Sequence, residues 1–372
     1  RRTACTPCSN DQGRRKKGAI QSESMASMSS QREHEKAVMA TSEDAALCKS
    51  IAVSKGYYED PFIHLFVSRS GSRPPLINRG HYARVAAVRK VIFQFLQSCG
   101  NNDISSESEQ GSGNQSLREQ IVILGSGLDS TFFYLKEINK QPRGGYFEVD
   151  FEDVVRYKKD RILRSDVLKG MLGLIVNKGE QQDDDNRESD NEINLRTKEY
   201  HLVSCDIRNC QKLESVFREA GIDFSAPTLF LSECVLIYMK PDEGTKIIEW
   251  TANLFPCSIF FTYEQINPYD PFGKVMSQNI SLRGCPLLSF EAFPDCESQK
   301  NRYLKATWQT CEAISMQEFY DNLPDEEKSR VAKVEWLDEI EEWKMIQQHY
   351  CFILATKDSE DRKIWANLTI CS

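Results

Sequence analysis

The stretch Ile121-Val-Ile-Leu-Gly-Ser-Gly-Leu-Asp129 constrains the fold of this chain more than any other. An apolar run ends there in a glycine turn, and the next apolar run, Tyr146-Phe-Glu-Val-Asp150, ends in a carboxylate. Buried strands that alternate with helices build a parallel sheet, which binds ligands at the carboxyl ends of its strands. Glycines after the first strand let backbone approach a ligand closely. An acid at the tip of the second accepts hydrogen bonds from ribose hydroxyls. The turn reads Gly-x-Gly-x-Asp and lacks the third glycine of a dinucleotide site. Asp129 stands where such a site seats a pyrophosphate on a helix N-terminus, and its charge repels phosphate and tolerates a cation. The ligand implied is a nucleoside with a positive centre, and S-adenosylmethionine, a sulfonium, fits.

The rhythm continues downstream. Patterning predicts strands near 120–124, 145–149, 200–204, 228–232 and 257–263, with helices near 130–138, 151–168, 210–220 and 241–254. This is the alternation of a doubly wound α/β sheet. Residues 331–336, 337–346 and 349–357 read as strand, helix and strand. An antiparallel terminal strand would complete a seven-stranded, mostly parallel, Rossmann-like sheet of the class I methyltransferase type. Residues 268–330 read as a helical cap. Ahead of the sheet, Val85, Val88, Ile92, Phe95 and Leu96 recur at helical spacing. Order is expected from Ser42-Glu-Asp44, so that a domain spans 42–357 between a disordered tail over 1–41 and a C-terminal tail over 358–372. Polar insertions near 99–118 and 177–196 read as mobile loops. The first residues, ahead of Met25 and Met28, read as an upstream extension, and the basic cluster Arg14–Lys17 as a solvated charge run.

The chain has 372 residues, 40% of them hydrophobic, enough for one sizeable core. Its net charge of −8 argues against a nucleic-acid partner. No apolar run approaches the roughly 18 residues that span a bilayer, and no signal-peptide core is present. Cys5-x-x-Cys8 lacks a second pair, so no metal site is expected. Cys234, Cys257 and Cys351 lie in apolar runs as buried thiols, which suits a reducing, cytoplasmic compartment. A monomer is expected.

Each of the first four predicted strands is followed by a residue suited to the ligand: Gly125, Asp150, Asp206 and Glu233. Asp150 suits the ribose diol. Asp206 can accept from an adenine amino group, with Ile207 packed on the ring. Glu233 suits a methionine ammonium beside the Gly125 carbonyl. The methionine carboxylate needs a cation, for which Arg84 and Lys49 are candidates.

Together these pieces resemble the leucine carboxyl methyltransferase family. The resemblance rests on Leu47-Cys-Lys49, Gly56-Tyr57, Asp60-Pro61, Ile77-Asn-Arg-Gly80, Tyr82-Ala-Arg84, Leu124-Gly-Ser-Gly-Leu-Asp129, Tyr146-Phe-Glu-Val-Asp150, Asp206-Ile-Arg208, Glu233-Cys-Val-Leu-Ile-Tyr238, Tyr263-Glu-Gln265 and Glu297-Ser-Gln-Lys300. It implies the class I methyltransferase fold and methylation of the C-terminal leucine carboxylate of the protein phosphatase 2A catalytic subunit. Carried over by motif, the S-adenosylmethionine contacts would be Lys49, Arg84, Gly125, Gly127, Asp150, Asp206, Ile207 and Glu233. A sister branch acts in modified-base synthesis on transfer RNA and carries a C-terminal propeller, for which this chain is expected to be too short.

A carboxylate, with a reference pKa of about 3.5, is already ionised at neutral pH and needs no general base. The sequence accordingly offers no nucleophile–base pair, and His34, His64, His81, His201 and His349 are expected away from the strand-end acids. Arg79, Tyr238 and Tyr263 are candidates to orient the acceptor carboxylate, and Glu264 and Gln265 are expected at the pocket mouth. Two other readings stay open here: a small-molecule O-methyltransferase on the same fold, and a non-catalytic adaptor that binds the phosphatase.

Overall fold

The computed structural model describes residues 11–104, 118–174, 193–361 and 363–371, with backbone alone for 11–31 and 101–104. In chain order the elements are α1 (Asp11–Lys55), α2 (Ile63–Phe66), α3 (Pro75–Ile104), β1 (Gln120–Leu124), α4 (Thr131–Glu137), β2 (Tyr146–Asp150), α5 (Glu152–Arg164), α6 (Asp166–Met171), β3 (Leu195–Arg196), β4 (Tyr200–Ser204), α7 (Cys210–Glu219), β5 (Thr228–Glu233), α8 (Pro241–Leu254), β6 (Cys257–Gln265), α9 (Pro271–Ser281), α10 (Cys296–Lys305), β7 (Thr310–Ser315), α11 (Met316–Asp321), α12 (Asp325–Ala332), α13 (Ile340–Gln348) and β8 (Tyr350–Asp358). A short 3-10 turn at Leu236–Tyr238 follows β5.

The strands form one sheet in the order β3-β4-β2-β1-β5-β6-β8-β7. From β4 to β6 all pairings are parallel, while β8 runs antiparallel to both β6 and β7. The order reverses at β1, so the crevice beyond the ends of β1, β2 and β5 is where a ligand sits. β1 is buried throughout, as a strand covered on both faces must be.

The sheet has eight strands where seven were expected. The extra one, β3, has two residues, too few to carry an alternation, and pairs antiparallel with β4. Residues 331–336 are not a strand. Val331 and Val334 share a helix-like spacing, pack against Tyr57 and Tyr82, and leave Trp336 83% exposed. The strand beside β8 is β7 instead, within the stretch read as a helical cap. Its residues are only half-buried at the sheet edge, so its sequence shows no apolar run.

The tail read as disordered over 1–41 is helical from Asp11 onward. Its sequence is polar and serine-rich and carries no apolar stripe, so periodicity alone misses it. α3 runs past Cys99 to Ile104; the rest of that insertion, the acidic run of 180–192 and the Cys5/Cys8 pair lie outside the described residues. The C-terminal segment packs on the body: Trp365 stacks on Phe95 at 5.7 Å, and Lys90 Nζ donates to the Ile370 carbonyl at 2.8 Å. Cys257 and Cys351 are buried as expected, whereas Cys234 is partly exposed. Among the described residues no helix is long and apolar enough to cross a membrane.

Candidate active site

The turn after β1 needs its glycines. Gly125 and Gly127 have φ of +71° and +52°. A Cβ on Gly125 would meet Val235 Cγ2 at 2.6 Å, and one on Gly127 would meet Ser42 Cβ at 3.0 Å. The turn is tied to β2: Gly127 N donates to Asp150 Oδ2 at 2.6 Å, and Phe151 N to Asp150 Oδ1 at 2.7 Å. Each carboxylate oxygen keeps a free lone pair for a further donor. Burial raises the Asp150 pKa, and the two backbone N–H groups oppose that shift.

Beside this turn lies a cluster of four charges from four segments. Lys49 Nζ, on α1, is 3.1 Å from Asp129 Oδ2 and 3.5 Å from Glu233 Oε1. Arg84, on α3, pairs through Nε with Glu233 Oε2 and donates through Nη2 to the Glu233 carbonyl at 3.3 Å. Burial alone would neutralise these groups, but their mutual attraction outweighs it. Lys49 is raised by Glu233 and Asp129, Glu233 is lowered by Arg84 and Lys49, and Asp129 is lowered to about 2, chiefly by Lys49. The cation that Asp129 holds is therefore the protein's own Lys49.

These residues line a cavity of about 350 Å³. Phe151, Ile207 and Arg208 wall it at the ends of β2 and β4, and Glu35, Val38 and Ser42 of α1 border it. At the far side stand Tyr238, Tyr263, Gln265 and Tyr350 with apolar Leu76, Met316 and Ile346. Arg84 lies 5.1 Å from the centre of the Tyr263 ring, which stacks on Tyr350 at 5.1 Å. Burial holds the Tyr238 and Tyr263 hydroxyls well above their ordinary pKa, and pushes Tyr350 up to about 12, so all three stay protonated donors. Gln265 Oε1 is buried without a hydrogen-bond partner.

The structure thus gathers Lys49, Arg84, Gly125, Gly127, Asp150, Ile207, Glu233, Tyr238 and Tyr263 around one cavity. Three expected residues engage other groups of the protein. Asp206, between the lining residues Cys205 and Ile207, has its carboxylate held by Arg208, through Nε at 2.9 Å and Nη2 at 2.6 Å, and Arg208 also pairs with Glu35. Arg79 is buried away from the cavity, and its Nη2 faces the Glu335 carbonyl at 3.5 Å. Glu264 points to the opposite sheet face from Tyr263 and Gln265. It accepts from Leu236 N at 3.1 Å and Ile237 N at 3.2 Å, and burial raises its pKa to about 7. Alternation along β6 accounts for this, because neighbours on a strand point opposite ways.

Two histidines do stand at the cavity. His81, one turn before Arg84 on α3, lines it. Burial, Arg84 and Lys49 lower its pKa to about 3, so it is neutral at physiological pH. His34 faces the Tyr238 carbonyl at 3.2 Å and the Gly284 carbonyl at 3.4 Å. Sequence reasoning missed Glu35 and His34 because they fall in the stretch read as disorder. Tyr350 was accessible in principle, since antiparallel pairing of the last strand with β6 sets it opposite Gln265.

The sheet order, with antiparallel β8 inserted between β6 and β7, and the crevice at the switch point define a class I methyltransferase fold. A family model described as leucine carboxyl methyltransferase matches residues 37–252. The chain is 38% identical over 333 residues to a leucine carboxyl methyltransferase 1 homolog of Arabidopsis thaliana, covering 89% of this chain and 92% of the relative. It is also 38% identical over 320 residues to the tRNA wybutosine-synthesizing protein 4 of Homo sapiens, covering 86% of this chain but 44% of that protein. Among solved structures, a putative methyltransferase from Thermobifida fusca YX matches with a TM-score of 0.44 and 14% identity, over 84% of this chain and 94% of the other. The chain belongs to the leucine carboxyl methyltransferase family, whose methyl donor is S-adenosylmethionine.

Proposed function

We propose that this protein methyl-esterifies the α-carboxylate of the C-terminal leucine of the protein phosphatase 2A catalytic subunit, in the cytoplasm. One observation carries the reading: the cavity pairs a buried cluster of mixed charge with a far side of hydroxyl, amide and apolar groups.

The residues present fit S-adenosylmethionine. The glycine turn is a cradle that a Cβ at Gly125 would fill. Asp150 keeps acceptor capacity for ribose hydroxyls, and Phe151 and Ile207 offer apolar surface to a base. Lys49 and Arg84 suit a carboxylate, and Glu233 an ammonium, so a zwitterion can take partners that now pair with each other. When bound, the cofactor supplies an electrophilic methyl group on a sulfonium.

The protein's own task is then binding, orientation and exclusion of water. An ionised acceptor needs no proton removed, and neutral His81 has none to take up near pH 7. The cation and the anion are both better hydrated than the transition state in which their charges cancel, so a dry site raises the rate. The Tyr238 and Tyr263 hydroxyls donate to the acceptor carboxylate and hold one oxygen in line. Gln265 Oε1 offers an acceptor to the amide N–H of the terminal residue, and Leu76, Met316 and Ile346 offer apolar surface to its side chain.

A second reading follows from the equal identity to the tRNA wybutosine-synthesizing protein, namely methyl transfer in the synthesis of a modified transfer-RNA base. The net charge of −8 weighs against it, because RNA affinity rests on phosphate neutralisation. Incubation with methyl-labelled cofactor separates the two. Label is expected on the phosphatase catalytic subunit, and not on the same subunit lacking its terminal leucine. Label on transfer RNA alone, or on a small molecule, would overturn the proposal.

A further inference from the structure

α3 turns one face to the cavity, through Leu76, Ile77, Gly80, His81 and Arg84. At a rise of about 1.5 Å per residue, His81 stands about 4.5 Å along the axis from Arg84 and about 7.5 Å from Leu76. Arg84 belongs to the charged cluster at Glu233, and Leu76 to the apolar far side. His81 therefore lies between the groups that suit a methionine end and the surface that suits a terminal side chain. An acceptor carboxylate must lie in the same interval, since one oxygen has to reach the sulfonium methyl while the adjoining Cα carries that side chain. His81 Nδ1 is buried without a hydrogen-bond partner, as is Gln265 Oε1 in the same cavity. A buried polar atom in that state is costly, and a bound ligand relieves the cost. Burial and the cations Arg84, Lys49 and Arg73 keep the ring neutral. A neutral imidazole still carries one N–H donor.

We propose that His81 is a further catalytic residue, donating an imidazole N–H to the acceptor carboxylate oxygen that does not attack. This role rests on the reading of the acceptor as the α-carboxylate of a terminal leucine. Tyr238 and Tyr263 hold the attacking oxygen, and His81 holds the other. As the O–CH3 bond forms and the S–CH3 bond breaks, no proton moves at His81. Negative charge drains from both carboxylate oxygens, so this hydrogen bond is strongest before the transition state. Removing it should therefore raise KM for the acceptor and leave kcat nearly unchanged.

Steady-state kinetics at saturating S-adenosylmethionine, with the phosphatase catalytic subunit as acceptor, test this beside calorimetry for the cofactor. His81→Phe keeps a ring without a donor. It should raise the acceptor KM about tenfold or more, as expected for a hydrogen bond to a charged group. It should hold kcat within about threefold and leave cofactor affinity unchanged. His81→Asn or His81→Gln, each a neutral N–H donor, should restore KM to within about threefold of the wild type. His81→Ala makes the same comparison if the Phe variant does not fold. An acceptor KM that ignores His81→Phe and His81→Ala, a KM raised equally in all four variants, a loss confined to kcat, or a loss of cofactor affinity would each overturn the role. If the wild type leaves the terminal leucine unmethylated, the functional reading fails and this role with it. If it methylates the leucine with a KM indifferent to His81, only this role fails.

Discussion

At the scale of single residues, the site rests on a few side chains whose partners the structure identifies. Asp150→Ala should weaken S-adenosylmethionine binding by on the order of 1.5–3 kcal/mol, the range for hydrogen bonds to a charged group. Titration calorimetry checks it, and unchanged affinity in a folded variant would remove Asp150 from the ribose site. Arg84→Lys should recover only part of the affinity lost in Arg84→Ala, since an ammonium cannot reach the Glu233 side chain and carbonyl together as the planar fork does. Full recovery would mean that charge alone suffices. The pH dependence of turnover follows from the same cluster. Asp129, lowered to about 2, and His81, lowered to about 3, do not change charge near neutrality, and Lys49 is raised. With saturating cofactor, turnover should be level from roughly pH 5 to 9 and fall only at acid pH as carboxylates protonate. A limb near pH 6.5 that disappears in His81→Asn would make that histidine a base and disfavour a carboxylate acceptor. Most of these residues were legible in the sequence, because glycines and acids at strand ends are local signals. The pairing of Asp206 with Arg208, two residues on, was not legible, because charge alone does not show which neighbour a carboxylate engages. Glu264 was misread because the sheet face it takes depends on register.

At the scale of elements, α1 and the 3-10 turn after β5 shape the cavity. α1 contributes Glu35, which holds Arg208 at the cavity wall. The pair is partly exposed, so Glu35→Ala should cost no more than about 1 kcal/mol of cofactor affinity. A loss above tenfold, read by calorimetry, would mean that Glu35 touches the ligand itself. The turn carrying Tyr238 is held by buried Glu264, whose folded pKa of about 7 lies above the ordinary carboxyl value. Its contribution to stability is then full at acid pH and lost as pH rises through about 7. The difference in unfolding free energy between the wild type and Glu264→Gln should fall by on the order of 2 kcal/mol between pH 5 and 8. A difference independent of pH in denaturant titrations would contradict the raised value. The parallel strands were readable because buried strands are continuous apolar runs. β7 was not, because an edge strand is half-buried and its six residues look like loop. The part of α1 ahead of Ser42 was not, because its polar sequence leaves no periodic apolar mark.

At the scale of the whole molecule, one sheet and its switch point bring segments as distant as Lys49 and Tyr350 to a single cavity. That convergence was only partly legible. The alternation of strands and helices and the crevice at the strand ends were readable, but strand order was not, and much of the far side of the cavity comes from α11, α13 and β8, whose placement depends on tertiary packing. The acidic stretch 181–192 lies outside the described residues. Its polarity and lack of periodicity predict that deleting it leaves turnover nearly intact, since loop-length changes cost little. A tenfold fall, about 1.4 kcal/mol of barrier, in a folded deletion variant would give that segment a role at the site. The proposed function turns on where the methyl group lands. Tandem mass spectrometry of the phosphatase catalytic subunit after reaction with the protein and S-adenosylmethionine reads this directly. A single methyl on the C-terminal leucine carboxylate, released by mild alkali, is expected. A methyl on a side chain, or one that survives alkali, would contradict it.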